Sequence, residues 1–290
     1  MIEKKDNGNN NGLKPKKFYM RALDPIHIGA GGYRLGRVDN TIVRDPATDV
    51  PKIPGTAIAG VVRAFYEMKE KDKDKTEKLF GTGESKGMLR FYDGQIIFFP
   101  VSSILGTVWV TTKEILEYWF GELKDDNGEK ITIPENIDDK AYALKGIDSK
   151  KPLNLGWLLV EVVSLNGPDE KDIILHSSVS PYVKRIVIVS EKLFSHIVND
   201  NLEIRTSVRI DSGTGTSVEG ALFTYEAIPR GTILGFEVVK DNTREKDDID
   251  IDNVMGAVSS YFKLLGIGGM GTRGFGRVEI LDGGVSNAES

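Results

Sequence analysis

The chain contains no cysteine, so it can build neither a disulfide nor a thiolate metal site, and an intracellular, cytoplasmic location is the simplest fit. No apolar run approaches the roughly 20 residues that cross a bilayer, which argues against a membrane protein. The opening MIEKKDNGNNNGLKPKK lacks the apolar segment and small-residue cleavage site of a secretory signal. Its Asn, Gly and Lys richness predicts disorder over residues 1–16. A basic excess is missing as well: 38 Lys and Arg against 43 Asp and Glu give a net charge of −5. A protein that coats nucleic acid through bulk charge needs the opposite balance. Any nucleic-acid binding must therefore be local, through a basic groove, backbone N–H groups or neighbouring subunits. Finally, no period of 20 to 50 residues repeats, which excludes a solenoid.

What is present describes an ordinary globular chain: 290 residues, 40% hydrophobic and 28% charged, which predicts one elaborated domain over residues 17–282 with a flexible tail at 283–290. Phe18 to Leu23 alternates as a strand and stops at Asp24-Pro25. Ile58, Val61, Val62, Phe65 and Tyr66 recur at helical spacing after Pro54-Gly55, with Thr56 as the expected N-cap. LRFYDGQIIFFPV reads as a strand pair or a bulged strand, and TTKEILEYWF as a second helix. Residues 121–175 give no assignable elements. YVKRIVIVS and EKLFSHIV read as strand and helix, residues 205–229 as a hairpin with a Gly- and Thr-rich tip, then GTILGFEVV as a strand and NVMGAVSSYFKLLG as a helix. The order strand, helix, strand, then strand, helix, strand predicts an α+β fold around an RRM-like, ferredoxin-like sheet with large insertions. Acidic residues such as Asp125, Asp138, Asp139, Asp250 and Asp252 fall in segments that read as surface loops.

The closing GIGGMGTRGFGRV is the strongest motif. Its many glycines let backbone approach a ligand, and consecutive N–H groups can cradle phosphate oxygens. A tight structural turn explains them equally well. It is not a dinucleotide fingerprint, because it follows a helix rather than opening one. GTGESKG at 81–87 fails the spacing of a mononucleotide loop and reads as structure. The segment from Arg21 to Glu67 gathers His27, Arg34, Arg37, Asp39, Arg44 and clustered glycines. Taken singly, His27 reads as a packing residue and Asp39 as a turn former. Beside RNA, a carboxylate next to a basic loop can hold a divalent cation or orient a hydroxyl against a phosphate.

GRVDNTIVRDPATDVPKIPGTAIAGVVR, FYDGQIIFFPVSSILGTVWVTT, VRIDSGTGTSVEGALFTYEAIPRGT and the closing GIGGMGTRGFGRV, in that order, resemble the RAMP superfamily of CRISPR proteins. Within it they resemble the backbone subunits of type III effector complexes, the Cmr kind (type III-B) more than the Csm kind (type III-A). The resemblance implies an RRM-like palm, inserted fingers at about 50–180 and a β-hairpin thumb at about 203–229. It implies copies of the chain stacked along a guide crRNA beside a large polymerase-like subunit, a small subunit and capping RAMP subunits, with complementary target RNA cut at regular intervals. It places the endoribonuclease role and a divalent metal, Mg2+ or Mn2+, on Asp39, with His27 auxiliary. RNA contacts are expected from Arg34, Arg37, Arg44, Arg63, Arg205, Arg209, Tyr225, Glu226, Gly268, Gly269, Gly271, Arg273, Gly274 and Arg277. Two other readings stay open: a RAMP scaffold that binds guide RNA without cutting, and a metabolic enzyme with a phosphate-binding glycine loop.

Overall fold

The computed structural model describes residues 13–31, 38–125, 127–147, 151–165, 175–210, 213–241 and 250–281. The expectations for residues 1–12 and for the tail 283–290 lie outside them. The first strand, β1 (Lys16–Ala22), begins two residues before the alternation predicts. After a long loop come β2 (Lys52–Ile53) and α1 (Gly55–Glu70). Thr56 does not cap this helix. The Asp93 carboxylate accepts from Gly55 N at 2.8 Å instead, a partner 38 residues away that no local pattern reveals. Next follow α2 (Lys73–Phe80), β3 (Leu89–Phe91), β4 (Gly94–Ser103), β5 (Gly106–Thr111) and α3 (Lys113–Phe120), the last capped by the Thr112 side chain. The stretch that resisted assignment folds into β6 (Ala141–Lys145), β7 (Leu153–Leu155), β8 (Leu158–Val160) and β9 (Val162–Ser164). β10 (Ile186–Ile188), α4 (Glu191–Asp200), the hairpin β11 (Glu203–Ile210) and β12 (Ser217–Ala227), β13 (Ile233–Lys240), α5 (Ile251–Leu264) and β14 (Val278–Leu281) complete the chain.

Most strands join one ten-stranded sheet in the order β14-β1-β13-β4-β5-β10-β6-β9, with β2 paired to β4 and β3 to β13. Each of the first four strands of that order is antiparallel to its neighbours among them. Helices α1 and α5 cover one face, where Phe65 stacks on Tyr261 at 5.6 Å and meets Phe262 edge-on at 5.3 Å. A second core, built on Ile97, Phe98, Leu116, Trp119, Val183 and Ile186, fills the other face. Burial on both sides explains why β4 reads as a continuous apolar run rather than an alternating one. The register also slips by one residue between Ile233–Phe98 and Leu234–Ile96, so neighbouring Ile97 and Phe98 both serve the second core. Gly235 is required there: a Cβ would sit 2.7 Å from the Trp119 ring, which lies against the strand. Asp125, expected on a surface loop, is 1% exposed, because its carboxylate accepts from the amides of Asn127 and Glu129 and closes a turn.

Antiparallel pairing decides where the chemistry gathers. The end of β1 lies beside the start of β13 and the start of β14, so the loop after β1, the root of the β11–β12 hairpin and the glycine loop emerge together. Among the described residues no helix is long and apolar enough to cross a membrane.

Candidate functional site

The loop after β1 is stitched to the glycine loop by backbone. Leu23 N and Asp24 N donate to Arg277 O at 2.9 and 3.2 Å, Gly276 N donates to Pro25 O at 2.8 Å, and Gly269 N to His27 O at 2.9 Å. This contact demands glycine. Gly268 has φ +91°, and a Cβ there would lie 2.5 Å from His27 O, closer than real atoms approach. Gly268→Ala is therefore expected to lower stability by about 2 kcal/mol or more, from the left-handed backbone and the clash together. Thermal melting checks this, and an unchanged midpoint would show that the loops are not locked as described.

His27 is 7% exposed. Its Nδ1 lies 2.7 Å from Glu226 O; a carbonyl only accepts, so Nδ1 carries the proton. Tyr225 and Phe275 meet the imidazole edge-on, at 5.7 and 6.4 Å between centroids. The ring is thus clamped between the hairpin and the glycine loop. The clamp continues through Arg273, whose Nη1 donates to the Tyr225 hydroxyl at 3.0 Å. Arg205, opposite Tyr225 on the hairpin, lies over the Phe275 ring at 4.9 Å and reaches Gly274 O at 3.4 Å. Met270 is left-handed, at φ 67°, and the 3-10 turn Gly271–Arg273 follows it. The turn closes on itself, Arg273 N donating to Met270 O at 2.8 Å and Gly274 N to Gly271 O at 3.2 Å.

Asp39 lies on the outer side of β12. Asn40 N donates to Thr224 O and Glu226 N to Asn40 O, both at 3.0 Å, so the segment runs parallel beside the strand. Asp39 itself is exposed. Its Oδ2 accepts from Thr224 N and from the Thr224 hydroxyl, both at 2.8 Å. The Thr224 amide first, then its hydroxyl, hold the carboxyl below the usual carboxylate range. The group is accordingly an anion at neutral pH.

Glu226 and Arg44 answer each other. Arg44 Nη2 lies 2.6 Å from Glu226 Oε1, with side chains 14% and 11% exposed. Glu226 Oε2 accepts from Ile42 N at 3.2 Å, while Arg44 also donates to Ile42 O at 3.1 Å and to Asn199 Oδ1 on α4 at 3.0 Å. Both residues were expected at the RNA. The structure places their charges within the chain, tying the Asp39 segment to the hairpin and to α4. Arg63 stands apart on α1, donating to Glu67 and to Gly81 O, each at 3.0 Å. Arg277 pairs with Asp24 at the base of the glycine loop, at 2.5 Å. Arg34, Arg37 and the Arg209 side chain lie outside the described residues. The site therefore gathers Asp39, His27, Tyr225, Glu226, Arg44, Arg205, Arg273 and the glycines at 268, 269, 271 and 274. Thr224, Phe275 and Asn199 join it without having been foreseen. Thr224 meets Asp39 across 185 residues, and no motif spacing carries that contact.

A sheet whose loops converge at one end on an exposed carboxylate, a clamped imidazole and a glycine loop matches a known class. Residues 19–279 fit the family model of the RAMP superfamily, and the chain belongs to that superfamily. At the level of single proteins, it is 31% identical to the CRISPR system Cmr endoribonuclease Cmr4 of Pyrococcus furiosus over 91% of this chain and 94% of that protein. It is 32% identical to the endoribonuclease Csm3 of Mycobacterium tuberculosis over 52% of this chain and 65% of that one. Among solved structures, a chain of the type III-B Cmr-beta complex in its apo state superposes with a TM-score of 0.70 at 20% identity, covering 92% of this chain and 96% of that chain. Oligomeric Cmr4 from Pyrococcus furiosus gives 0.60 at 24% identity, covering 92% and 98%.

Proposed function

We propose that this chain is the repeating backbone subunit of a type III-B CRISPR effector complex, polymerising along guide crRNA and cutting complementary target RNA at regular intervals. One observation carries the reading. The exposed Asp39 carboxylate is held by Thr224 on an arginine-bearing hairpin whose next residue, Tyr225, is gripped by the glycine loop through Arg273, in a chain that matches the endoribonuclease Cmr4 over nearly its whole length. The other subunits are its partners: further copies of itself, a large polymerase-like subunit, a small subunit and capping RAMP subunits. The cytoplasm is where guide and target meet.

In this reading β1, α1, β4, β13, α5 and β14 form an RRM-like palm, a reading supported by the order β14-β1-β13-β4, the fourth, first, third and second strands of a ferredoxin-like unit. The segments inserted within about 50–180, around α1 and β4, form the fingers, and the β11–β12 hairpin is the thumb. One face of that hairpin carries Ile204, Val208 and Leu222, all exposed, an apolar surface suited to pressing against a base pair and turning a nucleotide out of the duplex. Arg205 and Arg273 hold sugar-phosphate backbone, so sequence is read by base pairing to the guide rather than by the protein.

RNA supplies its own nucleophile. Once a nucleotide is splayed, its 2′-oxygen can line up with the adjacent phosphorus and the leaving 5′-oxygen. The O2′–P bond forms as the P–O5′ bond breaks, the 2′-proton is lost to a base and the 5′-oxygen gains one, leaving a 2′,3′-cyclic phosphate and a 5′-hydroxyl. Asp39 is the anion beside that phosphate. Among the described residues no three His, Cys, Asp or Glu side chains cluster as a metal cage, and Glu226 is engaged by Arg44 and Ile42. Asp39 would be the residue that holds a Mg2+ or Mn2+ ion, since magnesium needs only one or two protein carboxylates where a substrate brings phosphates. When bound, such an ion offsets negative charge on the phosphate. His27 is auxiliary: its Nδ1 proton holds the hairpin, leaving Nε2 as the ring nitrogen free to accept.

Chelation separates binding from cutting. In the reconstituted complex, EDTA is expected to stop target cleavage and leave target binding intact; full cutting in EDTA would remove the ion from the account. Native material should also carry RNA, read as a high ratio of absorbance at 260 to 280 nm, whereas a metabolic enzyme would purify free of it. The partial match to Csm3 supports a second reading, a type III-A subunit with the same activity. The masses of co-purifying subunits decide between the two.

A further inference from the structure

The Thr224 hydroxyl is doubly engaged with one residue. It accepts from Asp39 N at 2.9 Å and donates to Asp39 Oδ2 at 2.8 Å. The first contact fixes the second: with a lone pair facing the Asp39 amide, the hydroxyl proton is turned toward the carboxylate. Thr224 is β-branched and sits in a strand, so its χ1 is restricted and the oxygen is held in place. The Thr224 amide adds a second donor to the same oxygen, at 2.8 Å. Among the described residues, Asp39 Oδ1 has no hydrogen-bond partner. One carboxylate oxygen is therefore anchored to the hairpin, and the other is presented outward in a single orientation.

We infer that Thr224 is the positioning residue of the cleavage site: its hydroxyl locks the Asp39 carboxylate to the thumb hairpin, so that whatever seats the hairpin against the RNA also seats the carboxylate. The inference rests on the assignment of cleavage to Asp39. It deepens that assignment, because an aspartate on an exposed loop would otherwise sample several rotamers, and small misplacements of a reacting group reduce rate steeply. Thr224 acts through Asp39, the residue its hydroxyl and amide both hold.

The test compares Thr224→Val, Thr224→Ser and Asp39→Asn in the assembled ribonucleoprotein, with kcat and KM measured on a complementary target RNA. Valine keeps the branched shape and removes the hydroxyl; serine keeps the hydroxyl. Thr224→Val is expected to lower kcat by between about tenfold and a hundredfold with KM within about twofold, and Thr224→Ser to restore most of the rate. If Thr224→Val does not assemble, Thr224→Ala carries the same comparison with serine. A serine variant as damaged as the valine or alanine one overturns the inference, since the hydroxyl would then not be what matters. Wild-type kcat in Thr224→Val alongside a dead Asp39→Asn also overturns it while leaving the cleavage assignment standing. Wild-type cutting by Asp39→Asn removes the assignment itself.

Discussion

Asp39→Asn, present in every copy of an assembled complex, is expected to lose target cutting by on the order of 10²–10³-fold, the loss typical when one preorganised charge-stabilising group is removed. Guide binding, target binding and assembly should be unchanged. Asparagine fills the same space, and its carbonyl oxygen can still accept from Thr224 N and the Thr224 hydroxyl, as Oδ2 does now. Only the negative charge and its capacity to hold a cation are lost. Because Asp39 is exposed, stability should move by no more than about 0.5 kcal/mol. Cleavage fragments resolved on a gel, beside a filter-binding curve on the same preparation, give both halves of the result. Cutting at the wild-type rate would move the chemistry to another residue. Loss of binding together with cutting would make Asp39 a structural residue.

A large effect on stability is expected from Arg44→Ala. It leaves Glu226 with a buried, uncompensated charge, and breaking such a pair from one side typically destabilises by about 3–5 kcal/mol. For a chain of this size that corresponds to a fall in melting midpoint of roughly 6–20 °C. Glu226→Ala should be similarly damaging, since it also removes the acceptor for Ile42 N. The double replacement should fall well short of the sum of the two, because neither charge is then left alone. A midpoint shifted by less than about 1 °C in either single variant would mean that the pair contributes nothing to stability. Glu226→Gln separates the roles, keeping an acceptor for Ile42 N while removing the ion pair.

The elements with local signals were legible in the sequence. Helix α1 carries its period in Ile58, Val62, Phe65 and Tyr66, all buried on one face. The hairpin is written in two runs about a Gly- and Thr-rich tip, and the glycine loop in its composition. Short strands were not legible: β7, β8 and β9 have three residues each, too few for alternation to stand out from noise. Long-range partners were equally hidden. Asp93 capping α1, Thr224 holding Asp39 and Arg44 facing Glu226 are contacts that only the assembled fold creates. Arg44 and Glu226, which the resemblance places at the RNA, thus have partners within the chain that no spacing announces, and neither does the residue that grips Asp39.

The four antiparallel strands that carry the converging loops occupy one flank of the sheet, and β5, β10, β6 and β9 extend the other flank beyond β4. Of the converging groups, His27, Asp39 and Arg44 come from the first 45 residues and the rest from beyond residue 198. The segments that form β5, β10, β6 and β9 can therefore lengthen or shrink without displacing those groups. Such a plan leaves the outer flank free to change what it touches while the edge that bears these groups keeps its shape.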